Sequence, residues 1–101
     1  TSDGEDPFET WRDRVSDPTA VARIVTRIDR LQLGNFGDHK PVGSGVWELR
    51  IDYGPGYRVY YAVSGKRIIL LLCGGDKRKQ PADIKRAIAL YEDYRERTKS
   101  S

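Results

Sequence analysis

Arg50, Arg58 and the run Lys77-Arg78-Lys79 are the residues of this chain whose types and placement could do chemistry. Arg50 and Arg58 flank the turn Gly54-Pro55-Gly56, and the three consecutive bases follow Gly74-Gly75-Asp76. Guanidinium and ammonium groups grip phosphate and stabilise charge that develops on it, arginine doing so through two parallel donors. Pairing across the turn is expected to set residue 50 near residue 60. Arg50 and Arg58 would then be diagonal neighbours on one sheet face, beside Glu48, Asp52 and Tyr60. Lys40, from the loop before the sheet, and Lys77–Lys79 could reach the same face, making a concave basic surface. Tyr60 beside it could stack on a base or pass a proton. The plain alternative is that Arg50 pairs with carboxylates across strands and that Lys77–Lys79 is a solvated turn.

Other chemistries find little support. His39 is the single histidine and lies in a glycine-rich stretch, so it reads as an exposed loop residue; no HExxH pair is possible. Cys73 is the single cysteine, which excludes an internal disulfide and a cysteine-rich zinc site, and it ends an apolar run where an inert buried thiol is expected. Gly74-Gly75-Asp76-Lys77 lacks the spacing of a phosphate-binding P-loop. Phe8, Trp11 and Trp47 sit at packing positions.

The elements that must position the bases follow from periodicity. Asp6-Pro7 and Asp17-Pro18 each pair a capping aspartate with proline at the first helical position. They predict helices over about 7–15 and 18–33, joined as a helical hairpin. Val21, Ile24, Val25, Ile28 and Leu31 form the apolar stripe of the second. Residues 34–45, with four glycines and a proline, read as an extended loop. Strict alternation over 47–53 predicts a half-buried strand, 57–63 a second, and the continuous apolar run 67–73 a central strand covered on both faces. A last helix over about 81–97 presents Ile84, Ala87, Ile88, Tyr91 and Tyr94. Short hairpin connections make the strands antiparallel, and the class is α+β. The apolar third strand should not be an exposed edge. Something is therefore expected to pair beside it, yet the chain supplies no fourth strand unless a short stretch before Pro7 or after Arg97 serves.

The chain has 101 residues, room for one domain, and its formal charge of +3 is uneven. Residues 1–17 hold six acids and two bases, a sum of −4; the remaining sixteen bases and nine acids sum to +7. A basic body suits an anionic partner. No apolar run approaches the roughly 20 residues of a membrane helix, and the expected setting is cytoplasmic, with no membrane partner.

Several separated segments also carry a family resemblance. GDHK (37–40), VGSGVWELR (42–50), GPGYRVYY (54–61), LLLCGGDK (70–77) and QPADI (80–84) resemble, in order, the HigB-type addiction-module toxins of the RelE/ParE superfamily. The resemblance spans about residues 7–90. It implies a RelE/ParE-like domain over 1–101, with two N-terminal helices packed on an antiparallel sheet of three or more strands and a C-terminal helix. It implies a toxin that is a ribosome-dependent mRNA endonuclease, arrests translation and growth, and is neutralised by a helix-turn-helix, HigA-like antitoxin. Operator DNA would be reached only through that antitoxin. Cleavage would proceed by attack of the ribose 2′-OH on the adjacent phosphate, with no metal or cofactor. Carried over by position, Arg58 matches the phosphate-binding arginine, Arg50 a basic strand position used in orientation or proton transfer, and Lys77 the basic residue of the turn. Arg78 and Lys79 are its alternates and, with Lys40 and Tyr60, RNA contacts.

The chain departs from the pattern in two ways. Relatives usually open with a strand, whereas residues 1–6 are expected to be disordered or the remnant of that missing strand. A functional tyrosine or histidine near the C-terminus has no match, because Tyr91 and Tyr94 sit at core positions, so the general acid is unassigned. Two other classes compete: a ParE-like inhibitor of DNA gyrase, and a degenerate toxin that acts mainly by binding antitoxin and regulating its operon.

Overall fold

The computed structural model describes residues 6–65 and 68–99. Helix α1 (Pro7–Arg14) and helix α2 (Pro18–Gln32) start where the aspartate-proline pairs predict. Asp6 accepts the Phe8 and Glu9 amides at 3.0 and 3.2 Å, and Asp17 accepts the Thr19 amide at 2.9 Å, satisfying amides that have no partner within the helix. Asp6 is thus a helix cap, not part of a disordered tail. Four strands follow: β1 (His39–Gly43), β2 (Val46–Ile51), β3 (Tyr57–Ser64) and β4 (Ile68–Asp76). A short 3-10 turn, Lys77–Lys79, leads into helix α3 (Gln80–Lys99). The strands form one antiparallel sheet in the order β1-β2-β3-β4.

The fourth strand is not where the sequence points. It is β1, inside the stretch read as a loop. Pro41 and Gly43 mask it, since neither favours a strand interior. On a sheet edge a missing N–H costs little, and the pairing to β2 slips at Pro41/Gly43 before the tight turn at Ser44-Gly45. Nor does the stretch after Arg97 serve as a strand among the described residues, because α3 continues to Lys99. The stretch before Pro7 lies, apart from Asp6, outside the described residues. Among the described residues β4 is therefore an edge of the sheet, not a central strand.

Its apolar run is still covered on both faces, by helices. One core holds Phe8, Ile24, Ile28 and Leu31 against Leu49, Ile51, Val59 and Tyr61. The other holds Val46, Tyr60, Ala62, Leu72 and Cys73 against Ala87, with Ile84, Ile88 and Tyr91 around it. The sheet is thus filled between α1 and α2 on one side and α3 on the other. The expected helical hairpin does not form: α1 lies on β4 and α2 on β2. Val25 of the predicted stripe is exposed, and Ala20 is buried in its stead.

Gly74 and Gly75 explain how both helices come so close. A side chain on Gly74 would overlap the Trp11 ring of α1, and one on Gly75 would overlap the Asp83 carboxylate of α3. Gly74→Ala is expected to destabilise by about 1–3 kcal/mol, the usual cost of overpacking. Thermal unfolding checks it; an unchanged midpoint would contradict the packing.

Asp17 has a second contact, with the Tyr53 hydroxyl donating to its Oδ2 at 2.8 Å. This bond, the main cause, holds the Asp17 carboxyl below its ordinary value. A depressed carboxylate contributes stability above its unfolded value that is lost as pH falls through the folded one. Tyr53→Phe is therefore expected to flatten the loss of stability on the acid side of about pH 4. Denaturant midpoints as a function of pH check it.

Candidate functional site

Arg50 and Arg58 are direct cross-strand partners in the β2–β3 register, not diagonal ones. Glu48 stands opposite Tyr60, and the difference of two positions comes from a longer connection around Gly54-Pro55-Gly56 than the tight turn assumed. The face assignment holds: with a side-chain period of two, Glu48, Arg50, Arg58 and Tyr60 share the α3 side. Lys40 joins them through its pairing with Glu48.

An open cleft of about 390 Å³ forms at this end of the sheet. Asp38, Arg50, Asp52, Arg58 and Lys77 line it, with the Gly54–Gly56 turn. It brings together three bases well separated in sequence. Gly56 lies between Lys77 and Arg58, and its positive φ of 82° is a backbone conformation that favours glycine in the turn between β2 and β3.

Each base is held differently. Arg50 donates from Nη2 and Nε to Asp38 Oδ1 at 2.7 and 3.1 Å, and this bond raises its pKa further. Arg27 of α2 fixes the surrounding backbone, donating to the carbonyls of Arg50 at 2.7 Å and of Phe36 and Asp38 at 3.3 Å. Arg58 is mostly covered, its side chain 12% exposed, with Nε 3.7 Å from Glu48 Oε1 and two long bonds of 3.4 Å from Nη1 to the carbonyls of Gly56 and Tyr57. Lys77 is exposed and makes no ion pair among the described residues.

Glu48 is the hub beneath the cleft. It is fully buried, and its Oε2 accepts from Tyr60 Oη at 3.1 Å and from Gln80 Nε2 at 2.6 Å. Lys40 Nζ lies 3.9 Å from Oε1. Tyr60 is likewise fully buried, and burial together with Glu48 pushes its hydroxyl well above the ordinary tyrosine value. An RNA-stacking or proton-transfer role for Tyr60 is therefore corrected: it is a core residue that ties β3 to Glu48. Lys40 does not line the cleft.

Arg78 and Lys79 turn away from Arg50 and Arg58, into a second cleft beside α1. Arg78 is bonded back to Asp76 at 3.1 Å, and that bond lowers the Asp76 pKa. The expected merging of all the basic residues on one surface is thus replaced by two clefts, either side of the Lys77–Lys79 turn.

Sequence comparison adds one decisive match. Residues 14–93 match the family described as Phage derived protein Gp49-like (DUF891). The chain belongs to the Gp49-like family. The Gp49-like family is of the addiction-module killer, RelE-like toxin kind, which supports a general toxin role and implies an antitoxin partner. An uncharacterized protein of Haemophilus influenzae (strain Rd) is 49% identical over 86 residues, covering 85% of this chain and 87% of that protein. No solved structure matches this Gp49-like chain. No helix among its described residues is long and apolar enough to cross a membrane.

Two features of this Gp49-like site escaped the sequence reading. Asp38 places a carboxylate in the cleft beside the expected Asp52, and only the β1 pairing shows that Asp38 reaches Arg50. His39 is not an exposed loop residue: its ring stacks between Phe36 and Trp47 at 5.0 and 4.9 Å, and Nδ1 lies 3.0 Å from Tyr61 Oη. The signal for it was the aromatic at each side, Phe36 and Trp47, once β1 is known to pair with β2.

Cys73 matches its expected role. It is buried, and burial pushes its thiol up to about 12. The native protein is expected to leave a thiol reagent unreacted at neutral pH and to react at once when unfolded. Rapid native modification would contradict this packing.

Proposed function

We propose that the cleft binds an RNA phosphate and that the protein is a HigB-type, ribosome-dependent mRNA endonuclease. One observation carries the reading: Arg50, Arg58 and Lys77 converge on one open cleft, and the donors of Arg58 are left largely unused. A guanidinium has five N–H donors. Here only long contacts engage them, so a phosphate oxygen in the cleft would be a better partner.

The reaction needs charge more than it needs a cofactor. The ribose 2′-OH loses its proton and attacks the adjacent phosphorus. The bond to the 5′-oxygen breaks, and that oxygen takes a proton. The products are a 2′,3′-cyclic phosphate and a 5′-hydroxyl. Negative charge builds on the phosphoryl oxygens and on the leaving oxygen. Arg58, packed against the sheet, is preorganised for the former. Arg50, anchored through Asp38 and Arg27, orients the strand. Lys77, exposed on its turn and free of ion pairs among the described residues, stabilises the leaving oxygen. The carboxylates of Asp38 and Asp52 keep the cleft from binding anions indiscriminately.

Induced expression in a bacterial host, followed by primer extension on messenger RNA, tests the reading. New 5′ ends within translated regions are expected as growth stops. Growth arrest with intact transcripts would overturn it and point to a target such as gyrase.

A further inference from the structure

The second cleft lies across the Lys77–Lys79 turn from the first. It encloses about 440 Å³ between α1, β4 and α3. Arg14, Arg78, Lys79 and Arg86 surround it, against two carboxylates, Asp76 and Asp83, a formal balance of +2. The first cleft has three bases and two carboxylates, a balance of +1. Asp76 is paired with Arg78 and caps the turn through the Arg78 amide at 2.9 Å. Among the described residues, Arg14, Lys79 and Arg86 form no ion pair. All three are exposed, and Lys79 and Arg86 act on the Asp83 carboxylate only through space.

The floor and wall of this cleft suit a nucleic-acid strand. Gly74 and Gly75 form the bottom, covered by the Trp11 ring and the Asp83 carboxylate that pack directly on them. Trp11, half-buried, supplies aromatic surface on the wall. Arginines and a lysine hold phosphates, and an indole stacks on any base. The two clefts are joined through the chain itself: Gly75 pairs with Arg58, and Lys77 is followed directly by Arg78 and Lys79.

We propose that the cleft lined by Trp11, Arg14, Lys79 and Arg86 binds the stretch of single-stranded RNA adjoining the phosphate held at Arg50, Arg58 and Lys77. The strand crosses the Lys77–Lys79 turn from one cleft to the other. The identity of the ligand rests on the nuclease reading; the second cleft extends the bound length beyond the reacting dinucleotide. Arg14 and Arg86 come from α1 and α3, so the site requires both helices to be docked on β4.

Binding of 2′-O-methyl oligonucleotides, which cannot undergo 2′-OH attack, tests this by fluorescence anisotropy with a trinucleotide and a nonanucleotide. The Arg14→Ala/Arg86→Ala protein is expected to bind the nonanucleotide about tenfold more weakly. Its slope of log affinity against log salt should be shallower by about 1.4, two contacts at roughly 0.7 each. Its affinity for the trinucleotide should be unchanged. Circular dichroism confirms that the two exposed replacements leave the fold intact. Equal affinity and equal salt slope for both proteins would overturn the proposal. So would an unchanged RNA affinity with weakened binding of an acidic polyglutamate peptide, which would assign the cleft to a protein partner. Wild-type protein that binds the nonanucleotide in this manner, yet cuts no transcript in cells, would uphold the second cleft and remove the nuclease reading.

Discussion

Alanine at both Arg50 and Lys77 is expected to lower RNA cleavage by at least about a hundredfold, the usual loss when one preorganised donor to developing charge is removed. Folding should be unchanged. Lys77 is an exposed turn residue, and the Arg50–Asp38 pair is partly solvated, so its loss costs little stability. Arg58→Ala is expected to be as damaging to cleavage but is a less clean test. It removes a cation that lies against a buried carboxylate, so stability and activity fall together. Cleavage of a ribosome-bound message by the purified variants, beside their thermal unfolding, checks both statements. Full activity in the double variant would show that the cleft's charge is idle.

Glu48→Ala is expected to have the largest effect on stability, about 3 kcal/mol or more, as when one partner of a buried charged network is removed. Four side chains would lose their common acceptor or counter-ion: Tyr60, Gln80, Arg58 and, more distantly, Lys40. Tyr60 would be left with a buried hydroxyl and no acceptor. For a domain of this size such a loss lowers the unfolding midpoint by more than about 10 °C. Glu48→Gln separates shape from charge. It retains an oxygen for Tyr60 and Gln80 and removes only the anion facing Arg58 and Lys40. A much smaller drop in midpoint is therefore expected for it. Equal drops for the two variants would mean that charge, not hydrogen bonding, is what Glu48 contributes.

The parts of this fold that were legible in the sequence are those set by local chemistry. The aspartate-proline caps mark both N-terminal helices, and alternation marks β2 and β3. What escaped is what depends on partners. β1 contains a proline and two charged or titratable residues, and it is a strand only because β2 offers an edge. β4 reads as central because both its faces are apolar, yet two helices cover those faces and leave its edge unpaired among the described residues. The site divides in the same way. Arg50 and Arg58 were placed on one face by the period of the strands. Tyr60 was placed there too, but no periodicity tells that Glu48 and Gln80 close over it. Nor does the run Lys77-Arg78-Lys79 reveal that a 3-10 turn sends its members into different clefts.

The chemistry of the cut ends tests the central claim most directly. Message treated with the wild-type protein on ribosomes should carry 2′,3′-cyclic phosphates and 5′-hydroxyls at each break, and the Arg50→Ala/Lys77→Ala protein should leave the message whole. Breaks bearing 5′-phosphates, or breaks of any kind that persist in the double variant, would contradict it.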